Sequence, residues 1–255
     1  SLSPIMHNGW IADHGLDAIY VALPLVSDDA ETEIRALCRF GFAGANVTVP
    51  HKRAAARAAD RSEGAVANVL RWETDGTVSG FNTDGKGFLD ALAETAPDWR
   101  NRIKHVLMLG AGGAAAAIAE ALGPHVETIH FANRTQARAD AAADALRAGR
   151  VLRWDDLERG FASADLIVQA TTLGMAGSAS PDWPVAAARP EAICADIVYK
   201  PLQTPFLAAA RARGLATMDG LGMLIHQGAR AFELWFGIRP DVSKARRRLI
   251  EALQA

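Results

Sequence analysis

The stretch HVLMLGAGGAAAAIAEAL, residues 105–122, decides the fold. A short apolar run ends at a glycine turn and an alanine-rich run of helical length follows, so a buried strand feeds directly into a helix. Gly110, Ala111, Gly112, Gly113, Ala114 and Ala115 fit the pattern G-x-G-x-x-A. The first glycine permits the tight turn, the second lets a pyrophosphate approach the backbone, and the small Ala115 lets the helix lie against its strand. The pattern is short, and context gives it weight: a second strand, TIHFANR at 128–134, ends about 20 residues further on, as a dinucleotide-binding fold requires. At that strand end an NAD site carries an acidic residue for the ribose hydroxyls. Here stand Asn133, Arg134 and Thr135, with Arg138 one turn later, a set of cations and hydroxyls that suits a 2′-phosphate and points to NADP(H) over NAD(H).

Working outward, the alternation continues. A helix is predicted at 136–148, a short strand near Val151, a helix near 155–160 and a strand at 165–171. Further strands follow at 193–199 and 216–219, with a helix at 204–213 between them. Strands alternating with helices imply a doubly wound parallel sheet. Upstream, the apolar run Ile19 to Leu25 predicts a strand, and a polar start with helical spacing through Ile34, Leu37, Cys38 and Phe40 predicts a helix closed by Gly41. A strand at 44–50, a helix at 51–59 and a hairpin around Asp75-Gly76 complete a first α/β unit. The last two segments, LIHQGARAFELWFG and VSKARRRLIEALQA, are amphipathic helices that return to that unit. The sequence therefore predicts two α/β domains. Residues 1–86, completed by 223–255, form a substrate domain, residues 100–222 form a Rossmann-type domain, and the site lies in the cleft between them, with Gly85, Gly87, Gly220 and Gly222 as hinges.

Composition narrows the function. The chain has 255 residues, half of them hydrophobic, with 27 basic and 29 acidic side chains for a formal net charge of −2. That balance offers no general attraction to a phosphate backbone or an anionic bilayer, so the expected partner is a small molecule, without nucleic acid or membrane. The two cysteines, Cys38 and Cys194, are far apart and give neither a disulfide framework nor a zinc site. The seven histidines show no paired ligand spacing, and no metal is expected. No apolar run has the length to span a bilayer and no leader opens the chain, which predicts a cytoplasmic protein. The chain opens at Ser1 without a methionine, which predicts residues upstream in the natural protein.

Six strings carry a more specific signal: SLSPIMHN at 1–8, NVTVPHK at 46–52, GFNTDGKGF at 80–88, GAGGA at 110–114, NRT at 133–135 and DGLGMLIHQ at 219–227. In this order and spacing, together with ATTLGM at 170–175 and DIVYKPLQT at 196–204, the chain resembles the shikimate dehydrogenase (AroE-like) family over essentially its whole length. The resemblance implies that Lys52 and Asp84 are the catalytic pair, and that Ser1, Ser3, Thr48, Asn68, Tyr199 and Gln227 bind the substrate, the serines through its carboxylate. It adds Thr171 and Gly220 to the cofactor-binding residues read from the glycine turn and its neighbouring strand. On the residues alone Lys52 is one lysine at a strand-to-helix junction, Asp84 a turn former or helix cap, and Ser3-Pro4 a simple helix start.

The implied activity is reduction of 3-dehydroshikimate to shikimate with NADPH, a step of aromatic amino acid biosynthesis, carried out by a monomer or homodimer. An ammonium placed at a ring ketone stabilises and protonates the oxygen that gains charge, and a carboxylate orients it. Two alternatives stay open: a related oxidoreductase acting on quinate or another hydroxylated cyclohexane carboxylate, and a non-catalytic metabolite-binding regulator on the same fold. The first is motivated by Ala65-Val66-Ala67-Asn68-Val69, where the family reads Gly-Ala-Val-Asn-Thr. Against the second stands the presence of both Lys52 and Asp84.

Overall fold

The structure, a computed structural model, describes residues 1–25 and 29–254. Along the chain run α1 (Ser3–Asp13), α2 (Ala30–Ala36), a 3-10 turn (Leu37–Phe40), β1 (Gly44–Asn46), α3 (Lys52–Ala58), β2 (Arg61–Ser62), β3 (Val69–Trp72) and β4 (Val78–Phe81). Next come α4 (Asp84–Thr95), α5 (Trp99–Arg102), β5 (His105–Leu109), α6 (Gly113–Leu122), β6 (Thr128–Ala132), α7 (Gln136–Asp144), β7 (Gly149–Val151) and α8 (Leu157–Ser163). The chain closes with β8 (Leu166–Gln169), β9 (Ile193–Asp196), α9 (Pro205–Ala212), β10 (Ala216–Met218), α10 (Gly220–Phe236) and α11 (Val242–Gln254). It divides into two compact units, Ser1–Asp84 with Gln227–Ala255, and Gly85–His226. Residues 26–28, between the predicted strand and the helical spacing that follows it, and Ala255, at the end of the last predicted helix, lie outside the described residues.

In the second unit the described strands form a parallel sheet in the order β10-β9-β8-β5-β6-β7. The reversal of direction in strand order falls between β5 and β8, where doubly wound sheets bind ligands at the carboxyl ends of their strands. Both faces are covered, which explains why β5 and β8 read as continuous apolar runs rather than alternating ones. Met108, Phe131, Ile118 and Phe88 pack on one side, and Leu107, Ile167, Phe161 and Phe206 on the other. Full burial of each such side chain contributes about 1.5–3 kcal/mol. α9 begins with Thr204 accepting from the Leu207 amide and Pro205 at its first position, the expected start chemistry.

The first unit holds a mixed sheet in the order β1-β3-β4-β2. β3 and β4 form the predicted hairpin, with Trp72 opposite Val78 and Gly76 at φ 84° in the turn. α2 runs into the 3-10 turn and ends at Gly41, φ 78°, where the predicted helix closes. α11 packs against α1, and Arg248 pairs with Asp13.

Several predicted elements differ. Residues 19–25 are not a strand: the Tyr20 amide donates to Asn8 Oδ1 at 2.8 Å and its carbonyl accepts from Asn8 Nδ2 at 2.9 Å, so a side chain takes the groups a ladder would use. Ile19, Val21 and Leu23 are accordingly exposed. The strand predicted at 44–50 stops at Asn46, and the chain turns beyond it, with the His51 amide bonding Thr48 O at 2.9 Å. Gly85, the second residue of α4, and Gly220, which opens α10, stand at close approaches: a Cβ would come within 2.3 Å of Ala117 O and of Ile197 O respectively. Close packing is thus the reason for a glycine at each of these two predicted hinge positions.

Candidate active site

In the first unit, four of the predicted residues converge. Lys52 opens α3, Asn68 immediately precedes β3, Asp84 opens α4 and Gln227 lies on α10. Lys52 Nζ pairs with Asp84 Oδ2, and Asn68 Nδ2 donates to Asp84 Oδ1 at 2.8 Å. Asn68 is in turn held by Thr83, whose amide donates to Asn68 Oδ1 at 2.8 Å. The Asn68 amide also lies 3.0 Å from Thr83 Oγ1 and 3.2 Å from Gln227 Oε1. Three acceptors thus share two N–H hydrogens, and the longest of these contacts, to Gln227, is the one most readily exchanged for a ligand. Asp84 is 6% exposed and the Lys52 side chain 18%, so the pair is largely shielded and Lys52 is its more exposed member.

Local structure explains the placement. The turn closed by the His51 amide on Thr48 O delivers Lys52 to the first turn of α3, and the Lys52 carbonyl accepts from the Ala67 amide at 3.0 Å, tying it to the segment that presents Asn68. The Asn68 amide bonds Phe81 O at 2.9 Å, which sets Asn68 beside the NTD segment that follows β4.

Other predicted residues are placed differently. Thr48 is exposed on its turn. Ser1 precedes α1 and accepts from the Ser3 amide at 3.3 Å, while Ser3 is the first helical residue, followed by Pro4. The Ser3 hydroxyl bonds the Tyr20 phenol, which donates to Asn46 Oδ1 at 3.0 Å, and Asn46 Nδ2 donates to Asn68 O at 3.3 Å. A polar path therefore joins the serines to Asn68. Burial pushes the Tyr20 phenol up to about 12 and keeps it a neutral donor. Tyr20, Asn46 and Thr83 were not singled out from the sequence; Asn46 and Thr83 lie inside the quoted strings NVTVPHK and GFNTDGKGF, whereas Tyr20 sits in an apolar run with no polar signal beyond its own hydroxyl. Of the altered segment, Ala65 is exposed and Val69 is fully buried in β3, while Asn68 keeps its bonds.

The second unit presents the residues predicted to bind the cofactor. Gly110 adopts φ 110°, open to glycine alone, at the end of β5, and a Cβ there would lie 2.8 Å from Thr171 Cγ2. Ala111 follows, and Gly112 and Gly113 cap and open α6 with nothing within 4 Å of where a Cβ would stand. Ala114 is partly exposed on the first turn and Ala115 is buried. This open cradle at a helix N-terminus fits a pyrophosphate. Asn133 Nδ2 bonds Thr135 O at 2.9 Å, shaping the turn after β6, and Arg134 and Arg138 are exposed there. Tyr199 is half-buried after β9, and Gly220 is buried at the start of α10. Among the described residues no cluster of three or more His, Cys, Asp or Glu is placed to hold a metal ion.

Comparison with known proteins identifies the family. The shikimate dehydrogenase substrate binding domain matches residues 1–69, the shikimate / quinate 5-dehydrogenase family residues 91–175, and the shikimate 5′-dehydrogenase C-terminal domain residues 220–250. A shikimate dehydrogenase (NADP(+)) of Rhodospirillum rubrum is 45% identical over 97% of this chain and 91% of its own. The chain belongs to the shikimate dehydrogenase family. Two solved members show the same fold. The Thermus thermophilus shikimate 5-dehydrogenase in complex with shikimate is 35% identical, with a TM-score of 0.85 over 100% of this chain and 95% of that one. The quinate dehydrogenase of Corynebacterium glutamicum in complex with NAD is 31% identical, with a TM-score of 0.90 over 98% and 94%.

Proposed function

We propose that the protein interconverts 3-dehydroshikimate and shikimate with NADP(H), and that Lys52 and Asp84 carry the proton chemistry. The observation that carries this reading is the carboxylate of Asp84 held on both oxygens, by Lys52 on one and by Asn68 on the other. Family membership and full-length relatives named for this activity support it.

Bound NADPH supplies a hydride to the ring ketone. Lys52 Nζ meets the negative charge that develops on the ketone oxygen and delivers a proton to it; in the reverse direction it takes the hydroxyl proton back. Asp84, fixed by Asn68, keeps the ammonium aimed and accepts from a neighbouring ring hydroxyl. Gln227 Oε1 exchanges its contact with Asn68 for another ring hydroxyl and lines the ring pocket with Thr48 and Asn68, Ser1 and Ser3 hold the carboxylate, and Tyr199 completes the site. Gly110 to Ala114 cradle the pyrophosphate, Thr171 and Gly220 line the cofactor site, and Asn133, Arg134, Thr135 and Arg138 take the 2′-phosphate. The substrate-binding residues belong to one domain and the cofactor residues to the other, with Tyr199 the exception on the cofactor side. The protein works in the cytoplasm as a monomer or homodimer; among the described residues no helix is long and apolar enough to cross a membrane.

The test is reduction of NADP+ and of NAD+ with shikimate and, separately, with quinate, followed by nicotinamide absorbance. Turnover with NADP+ on shikimate is the expected result. Faster turnover on quinate would move the assignment to the second ring acid, and binding of NADP(H) without turnover on either would remove the catalytic reading.

A further inference from the structure

We infer that Gln169, oriented by Asp196, is a positioning residue for the cofactor, holding the turn 171–173 against the glycine turn at Gly110. This rests on the reading that the glycine turn binds NADP(H). The two residues end neighbouring strands β8 and β9, stand opposite each other in the ladder and are both fully buried. A buried carboxamide must satisfy both its ends. Gln169 Oε1 accepts from the Thr171 amide and from the Thr171 hydroxyl, each at 2.6 Å. Its Nε2 donates to Leu173 O at 2.8 Å and to Asp196 Oδ1 at 3.3 Å.

Asp196 decides which way that amide faces. Its Oδ1 also takes the Val198 amide at 2.9 Å, and its Oδ2 lies 2.7 Å from the Thr204 hydroxyl. An oxygen already engaged by a backbone donor can only accept, so it selects the NH2 end of Gln169 and leaves Oε1 toward Thr171. The Thr171 hydroxyl is then committed inward, donating to Gln169 and accepting from the Leu173 amide at 3.1 Å. What Thr171 turns toward Gly110 is its methyl group, at the distance where a Cβ on that glycine would collide. The turn is therefore the back wall of the pyrophosphate cradle, and Gln169 is the clip that sets it.

The experiment measures binding of NADP+ and of shikimate separately by calorimetry on the full chain, with KM and kcat for each. Gln169→Leu keeps the volume and removes the clip, and should weaken NADP+ about tenfold or more while shikimate affinity stays within about twofold. Thr171→Val should weaken NADP+ in the same selective way, and Thr171→Ser, which keeps the clipped hydroxyl but loses the methyl facing Gly110, should weaken it clearly less than Thr171→Val. If Gln169→Leu does not fold, the Thr171→Val and Thr171→Ser pair decides alone. Unchanged NADP+ affinity in the variants, or equal losses for both ligands, would overturn the inference while leaving the enzyme assignment intact. A wild-type protein that binds no NADP+ would instead remove the reading beneath it, and the inference with it.

Discussion

Asn68 and Asp84 are joined by a hydrogen bond of 2.8 Å on the carboxylate oxygen that Lys52 leaves free. Asn68 is 3% exposed and Asp84 6%, so water does not replace that bond readily. Asn68→Ala should therefore do two separable things. Orphaning the buried Asp84 oxygen and the Thr83 amide should cost about 1–3 kcal/mol of stability. Freeing the carboxylate to turn should lower kcat/KM about 100-fold, since small misplacements of catalytic groups have effects of that size. Denaturant titration and steady-state kinetics on the same preparation check both. A stability loss with intact kcat/KM would mean that Asn68 only holds the fold.

Lys52 gives the complementary case. Its ammonium is the partly exposed member of the pair, and its backbone carbonyl, not its side chain, ties α3 to the segment before Asn68. Lys52→Met preserves the helix and the stem while removing the proton. The chemical step should fall by about 100-fold to 10,000-fold, the range for loss of a general acid, with substrate affinity changed far less. Single-turnover hydride transfer reads the chemical step directly; an unaltered rate would exclude Lys52 from the proton transfer.

Two buried groups contribute to the response to acid with opposite signs. His7 is packed against Tyr20 with ring centroids 4.4 Å apart, and burial pushes its imidazole down to about 3. An unfolded histidine titrates near ~6.5, so below that pH the unfolded chain takes a proton that folded His7 refuses, and stability falls as pH drops from about 6.5 toward 3. Asp196 acts oppositely: burial raises it to about 6, outweighing its bonds to Thr204, Val198 and Gln169. Its contribution is present below about 4, the unfolded value, and is lost as pH rises through about 6. His7 lies in the first unit and Asp196 in the second, so acidification should destabilise the first unit through His7. His7→Phe keeps the aromatic stack and should flatten that acid limb in denaturation midpoints measured from pH 7 downward. An unchanged acid limb would assign it to other groups.

What was legible in the sequence follows from where the information sits. Residues 105–122 were readable because strand, turn and helix each demand distinct residue types locally, and Gly110 at φ 110° leaves no alternative to glycine. Residues 19–25 misled because apolar content reports a tendency to be extended, whereas a strand needs a ladder partner, and Asn8 on α1 supplies a different one. β2 is two polar residues, Arg61 and Ser62, and has no signature of its own. In the site, Lys52 and Asp84 lie 32 positions apart and had meaning only through the family strings. Their ion pair is direct, and the bonds that brace it run through Asn68, Thr83 and Gln227. Such pairings are tertiary, and no local spacing encodes them.

The phosphate end of the cofactor site tests a reading made from spacing alone. Arg134 and Arg138 flank the N-terminus of α7, exposed, beside Thr135 at its cap position. A 2′-phosphate placed there would gain both guanidinium groups and the positive end of the helix, and a 2′-hydroxyl would gain little from either. Because each arginine is solvated in the free protein, its removal should cost little stability. Arg134→Ala and Arg138→Ala should each raise KM for NADP+ about tenfold, the loss of one charge-assisted contact, and leave KM for NAD+ nearly unchanged. Discrimination between the two cofactors should also shrink as salt rises, since the contact is exposed and screened. Parallel losses for NADP+ and NAD+ would show that the arginines act on the pyrophosphate or on the fold of the turn, and the basis of NADP preference would then lie elsewhere in the chain.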